Sequence, residues 1–134
     1  MKLLVEALVT APIATVWRAY TNPEDITNWN FASDDWHCPS ASVDLRVGGK
    51  FSSRMAARDG SVGFDFEGEY LNIEPNRLIE YRFGDRIAEV QFVEEAEGVL
   101  VSVTFDPEQD NPIDMQQSGW QSILDNFAAY VSKK

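Results

Sequence analysis

Two periodicities divide the chain. Through its middle, apolar residues recur at every second position; near its two ends they recur at every third or fourth. Residues 3–10 are rich in Leu and Val and read as a strand. Pro12 then stands where the first turn of a helix tolerates it, because the missing N–H would be an orphan there anyway. Ile13, Val16, Trp17 and Tyr20 follow at helical spacing. Asn22-Pro23-Glu24-Asp25 couples a stop to a new start: Asn22 can cap, Pro23 suits the first position, and the two acids suit the positive helix end. This predicts a second short helix from residue 23 to about residue 29. Residues 30–41 form a long, irregular aromatic connection containing Phe31, Trp36, His37, Cys38 and Pro39.

From there the period changes to two. Residues 43–47 precede Gly48-Gly49, and residues 50–57 precede Asp59-Gly60, a strong hairpin signal. In residues 62–73, Phe64, Phe66, Gly68 and Tyr70 alternate with Asp65, Glu67, Glu69 and Leu71, giving one dry face and one wet, acidic face. Pro75-Asn76 makes the next turn. Residues 78–83, 87–93 and 99–105 complete a meander, joined through Gly84-Asp85 and the acidic residues 94–98. Asn111-Pro112 opens the last element. Ile113, Gln116, Gln117, Trp120, Ile123, Leu124, Phe127 and Val131 then lie on one helical stripe, and Lys133 and Lys134 finish it where cations are favoured. At about 1.5 Å per residue the stripe can cross a whole sheet.

The order β-α-α-β6-α is α+β. A twisted antiparallel sheet of about seven strands tends to curl. The only apolar element long enough to fill its concave side is the C-terminal helix, and wherever the helix falls short a cavity remains, a default ligand site. With 134 residues and neither repeat nor linker, the chain reads as one domain over residues 1–134.

Charge and composition narrow the partners. A net charge of −11 repels phosphate backbones and anionic membrane surfaces. No stretch approaches the ~18 apolar residues of a membrane span, and Glu6 interrupts the apolar start. Nucleic acid and membrane insertion are therefore not expected, and a cytoplasmic location is. The single Cys38 excludes an internal disulfide and agrees with a reducing compartment. One His with one Cys excludes the usual zinc sets, and no cofactor is expected.

Candidate site residues come chiefly from the inward aromatic positions. Phe64, Tyr70, Tyr81 and Phe92 on strands, with Trp120 and Leu124 on the helix, are either core or pocket lining. Tyr70 and Tyr81 stand out, because a buried phenol needs a hydrogen-bond partner that a ligand can supply. Trp36 and His37 suit a pocket rim. His37 titrates near neutral pH when unperturbed, but adjacent residues on an extended segment point to opposite faces, so His37 and Cys38 make a poor base–nucleophile pair. The face of Arg54 stays open. Inward, it could clasp a ligand carboxylate; outward, the commoner case, it would pair with acids such as Glu67 or Glu69. No residue is singled out as catalytic.

Four segments carry a family resemblance: APIATVWRAYTNPEDITNW (residues 11–29), VDLRVGGKF (43–51), FEGEYLNIEPNRLIEYRF (66–83) and SGWQSILDNFAAYV (118–131). In this order they resemble the AHSA-type group, homologues of the C-terminal domain of the activator of heat-shock-protein ATPase, within the START-like or SRPBCC superfamily. The resemblance implies the helix-grip fold and a hydrophobic cavity between sheet and long helix. It also implies that Gly119-Trp120 packs the helix closely on the sheet. The superfamily includes lipid and hydrophobic-ligand carriers, cyclases, hormone receptors and oxygenase subunits. The metal-binding oxygenase subunits use His and carboxylate ligands, and one His is too few for that. The expected function is binding of a small hydrophobic or lipid-like molecule. The alternatives are a protein-interaction module like the co-chaperone domain, or a cyclase- or hydrolase-type enzyme using Tyr or His37, for which few acid–base groups face inward. A monomer is compatible with this pattern, and so is a homodimer through the 3–10 edge strand or an exposed aromatic loop.

Overall fold

Among the described residues, alternation builds one sheet and helical spacing builds three helices, in the expected order. The computed structural model describes residues 2–133, so Lys134 lies outside the described residues. The elements are β1 (Leu3–Val9), α1 (Ile13–Thr21), α2 (Pro23–Ile26), β2 (Trp36–His37), β3 (Ala41–Val43), β4 (Lys50–Ala57), β5 (Gly63–Glu74), β6 (Leu78–Phe83), β7 (Arg86–Glu95), β8 (Gly98–Phe105) and α3 (Ile113–Ser132).

The sheet runs β1-β8-β7-β6-β5-β4-β2, with β3 also paired to β4, and every pairing is antiparallel. Trp36 sits opposite Ala57 and Val43 opposite Phe51. β2 and β3 are thus one edge strand interrupted around Pro39, and eight strands fill seven positions. The connection expected to be irregular therefore contributes strand at residues 36–37 and again from residue 41. The strand expected over 43–47 stops at Val43 instead. Residues 44–49 turn sharply, Gly48 takes φ +83°, and the Gly48 N–H donates to Tyr70 O at 2.8 Å while Gly49 O accepts from Tyr70 N at 2.9 Å. Between β4 and β5, Gly68 lies opposite Phe51. A Cβ there would stand 2.5 Å from Cζ of the Phe51 ring, which explains a glycine in an otherwise aromatic alternation.

Asn22 caps α2 as expected, its side chain accepting from Glu24 N at 3.3 Å. The helix ends at Ile26, earlier than the pattern predicts. Trp29 is drawn back onto α1, where its indole N–H donates to Ala19 O at 3.0 Å. That bond satisfies an end-of-helix carbonyl and fixes α2 against α1.

Leu124, Phe127 and Val131 of α3 are buried in the core. The helix packs against β1 and, more lightly, α1. Gln117 Nε2 donates to Leu4 O and Gln121 Nε2 to Glu6 O, both at 2.9 Å. Two carbonyls on the outer edge of β1 are thereby taken, which blunts that edge against pairing with another chain. Because α3 leans toward β1, it leaves the concave face of β4–β6 uncovered. The close packing expected at Gly119 is not there: an added Cβ would meet nothing within 4 Å. The contact belongs to Trp120, whose ring stacks on Phe105 with centroids 3.9 Å apart and planes 7° from parallel. Among the described residues, no helix is long and apolar enough to cross a membrane.

Candidate functional site

The uncovered half of the sheet encloses a cavity of about 350 Å³. Phe51, Ser53 and Met55 of β4 and Phe64, Phe66 and Tyr70 of β5 form one wall. Ile79 and Tyr81 of β6 continue it, and Trp120, Ile123 and Leu124 of α3 close it from above. Tyr20 of α1, Ile26 of α2 and Trp29 from the turn after α2 also reach it. The wall is a continuous aromatic surface. Phe51 meets Tyr81 at 5.0 Å and Tyr70 at 5.3 Å, and Phe66 meets Phe83 at 5.5 Å and Trp120 at 6.4 Å. These separations and tilts suit edge-to-face and offset contacts.

Few polar groups interrupt this surface. Tyr70 and Tyr81 face one another across the β5–β6 pairing, 6% and 7% exposed. Burial pushes the Tyr70 phenol up to about 12, with the charge of Asp44 adding to the effect. Burial raises Tyr81 well above its ordinary value, and likewise Tyr20. Arg86 lies on the same lining, its guanidinium 4.4 Å from the Phe83 ring centroid and its Nη1 donating to Asp106 O at 3.4 Å. Glu108 also reaches the lining, where its carboxylate accepts from Asn111 Nδ2.

The raised phenols carry a pH prediction. A phenol whose folded pKa exceeds its unfolded value keeps its proton after the unfolded chain has lost its own. Its contribution to stability is intact below the ordinary value of 10.0 and is lost as pH rises above it. Tyrosinate absorbance of the folded protein is expected to show Tyr70 ionising near pH 12, with Tyr20 and Tyr81 ionising only as the chain unfolds. A step near pH 10 that disappears in Tyr81→Phe would contradict this.

The structure brings five of the expected residues together on the cavity: Phe64, Tyr70, Tyr81, Trp120 and Leu124. Phe64 stands at the lip, 50% exposed, and the Trp36 ring lies 6.0 Å from it, just outside the lining. His37 is half-buried on the edge strand opposite Ala56, off the cavity. Phe92 lies behind it, packed on Trp17 at 5.1 Å and Tyr20 at 5.6 Å, because α1 closes directly over β7. Arg54 takes the outer face, directly opposite Asp65, with Nη1 3.4 Å from Oδ1. Phe51, Ser53 and Met55 hold the inner positions, and the polar Ser53 between two apolar residues is what hid that alternation. The acidic partner is Asp65 rather than Glu67 or Glu69.

Tyr20, Ser53 and Arg86 join the lining unannounced. Tyr20 satisfies the criterion that singles out Tyr70 and Tyr81, a phenol on an inward stripe, but the pattern of its segment indicates only helical spacing. Cys38 is buried, its Sγ donating to Ser40 O at 3.4 Å, and burial pushes the thiol up. Among the described residues, no three His, Cys, Asp or Glu side chains gather as metal ligands would.

Comparison with known proteins agrees with this geometry. Residues 10–132 match the family described as Activator of Hsp90 ATPase homolog 1-like protein. The chain is similar to the solution structure of an AHSA1-like protein from Aeromonas hydrophila, at 44% identity and a TM-score of 0.94, covering 99% of this chain and 93% of that one. A protein from Cytophaga hutchinsonii is also 44% identical, with a TM-score of 0.84 and coverage of 98% and 92%. A protein from Chromobacterium violaceum is 27% identical, with a TM-score of 0.84 and coverage of 98% of both chains. No curated protein matches the sequence.

Proposed function

The chain belongs to the activator of Hsp90 ATPase homolog 1-like family, with the helix-grip fold of the START-like superfamily, and within it we propose that this protein binds a compact hydrophobic molecule between β4–β6 and α3. The cavity itself carries the reading. Protein interiors hold few voids larger than a water molecule, and about 350 Å³ falls within the range of small-molecule sites, about 300–1,000 Å³. It lies at the small end of that range. A ring-sized molecule or a short chain suits it better than a two-chain lipid. The aromatic wall supplies apolar contact, and the few polar groups supply orientation.

Binding fits the lining better than turnover. Acid–base catalysis works best with groups tuned near the operating pH, and the shifts at Tyr70, Tyr81 and Tyr20 run away from neutrality. A protein-interaction role has a different observation behind it. On the outer face, Leu8 and Val93 are 38% and 47% exposed and flank Leu100 in adjacent registers.

Thermal unfolding against lipids, aromatic polyketides and hydrophobic acids separates the two. A ligand at 100 times its Kd stabilises by about 2.7 kcal/mol, which raises Tm by several degrees at this size. A shift with a compact apolar compound supports the cavity. No shift anywhere in the panel rejects it and turns attention to the outer-face row.

A further inference from the structure

Tyr20 from α1, Tyr70 from β5 and Tyr81 from β6 reach one cavity from three directions. Among the described residues, no protein group hydrogen-bonds any of their three hydroxyls. Fully enclosed side-chain oxygens and nitrogens there all have partners, so these hydroxyls open onto the cavity space. That is unusual, since buried phenols ordinarily find a partner within the fold. Tyr70 and Tyr81 stand opposite one another across the β5–β6 pairing, and Tyr20 lines the same space from α1, which offers all three to a common guest.

The chemistry of that guest follows from the donors. At neutral pH each phenol keeps its proton and offers one O–H. Arg86, whose charge favours the Tyr81 phenolate, adds positive potential on the same side. The complement is an electron-rich oxygen acceptor. A full carboxylate fits less well: burying a charge is costly, and the acidic Glu108 shares the wall on which Arg86 lies. A neutral carbonyl accepts hydrogen bonds without that cost.

We propose that Tyr20, Tyr70 and Tyr81 form an acceptor-reading site, and that the ligand class is a compact neutral aromatic carbonyl compound, a ketone or quinone. Its oxygen bonds the phenols while its ring lies on Phe51 and Phe66. This rests on the cavity being a binding site and adds what the cavity selects.

The test uses a matched pair, acetylnaphthalene and isopropenylnaphthalene, which share shape but exchange C=O for C=CH2. Binding to the full chain is followed by calorimetry and by quenching of tryptophan fluorescence. The ketone is expected to bind at least tenfold tighter than the alkene. In Tyr81→Phe or Tyr70→Phe that preference falls toward unity, while the alkene keeps its affinity. Equal affinity of the pair for the unaltered protein overturns the acceptor site and leaves the apolar binding site standing. Failure of both compounds to bind overturns both readings. A ketone preference that survives in all three Tyr→Phe variants reassigns the acceptor contact and overturns the role of the phenols. Should a variant not fold, the comparison on the unaltered chain still decides.

Discussion

Phe127→Ala is expected to destabilise the protein by about 3–5 kcal/mol, the range for truncating a fully buried aromatic. Phe127 is 0% exposed, and its ring sits 4.8 Å from Trp29 and 5.1 Å from Tyr20, both edge-on. It joins α3 to α1 and to the turn that follows α2, so its loss opens a void where these three segments meet. Trp120→Ala makes the informative contrast. Trp120 is the larger side chain and stacks on Phe105, but it is only half-buried and borders the existing cavity. Truncating it widens a space already present, so the cavity part of the cost is small and the loss is expected to be below that of Phe127→Ala. Urea unfolding of both variants measures this, provided the slope with denaturant is unchanged. A larger cost for Trp120→Ala would mean that the β4–β6 side of α3 is packed solid.

Most of the fold is legible in the sequence because its elements obey simple periods. Residues 50–57 and 78–83 match β4 and β6 to the residue, since Gly, Pro, Asn and Asp mark their ends. The strand over 43–47 fails for a non-local reason. Val43, Leu45 and Val47 alternate well, but Gly48 and Gly49 are needed to pair with Tyr70, and the chain must bend after Val43 to bring them there. Leu45 and Val47 end up exposed. The short α2 fails similarly: its pattern continues to Trp29, yet the indole bond to Ala19 O turns the chain first. Neither partner is visible from the local pattern.

The site is less legible because lining and core look alike in sequence. Phe64 and Phe92 both occupy inward positions of alternating strands. One stands at the cavity lip, while the other is sealed by Trp17 and Tyr20. What separates them is where α1 and α3 land on the sheet, and that depends on the lean of α3 toward β1, fixed in part by Gln117 and Gln121. Those two glutamines read as ordinary stripe positions until their partners, more than a hundred residues away, are placed.

Ile123→Trp tests the cavity by the sign of its effect as well as by binding. Ile123 is half-buried on α3 and lines the space from above. An indole there has room to enter about 350 Å³. Filling a real void with apolar surface gains about 25 cal/mol per Å² buried, so the variant is expected to unfold at the same temperature as the unaltered protein or higher. Forcing the same ring into a solid core would cost about 1–3 kcal/mol instead. Binding moves the other way: the indole occupies the ligand's place, and affinity for a compact apolar compound is expected to fall at least tenfold, about 1.4 kcal/mol. Retained stability together with lost binding locates the ligand beneath α3. Lost stability with unchanged binding would place both the packing and the ligand elsewhere. The two readouts are independent because filling the space favours the empty protein and opposes the complex.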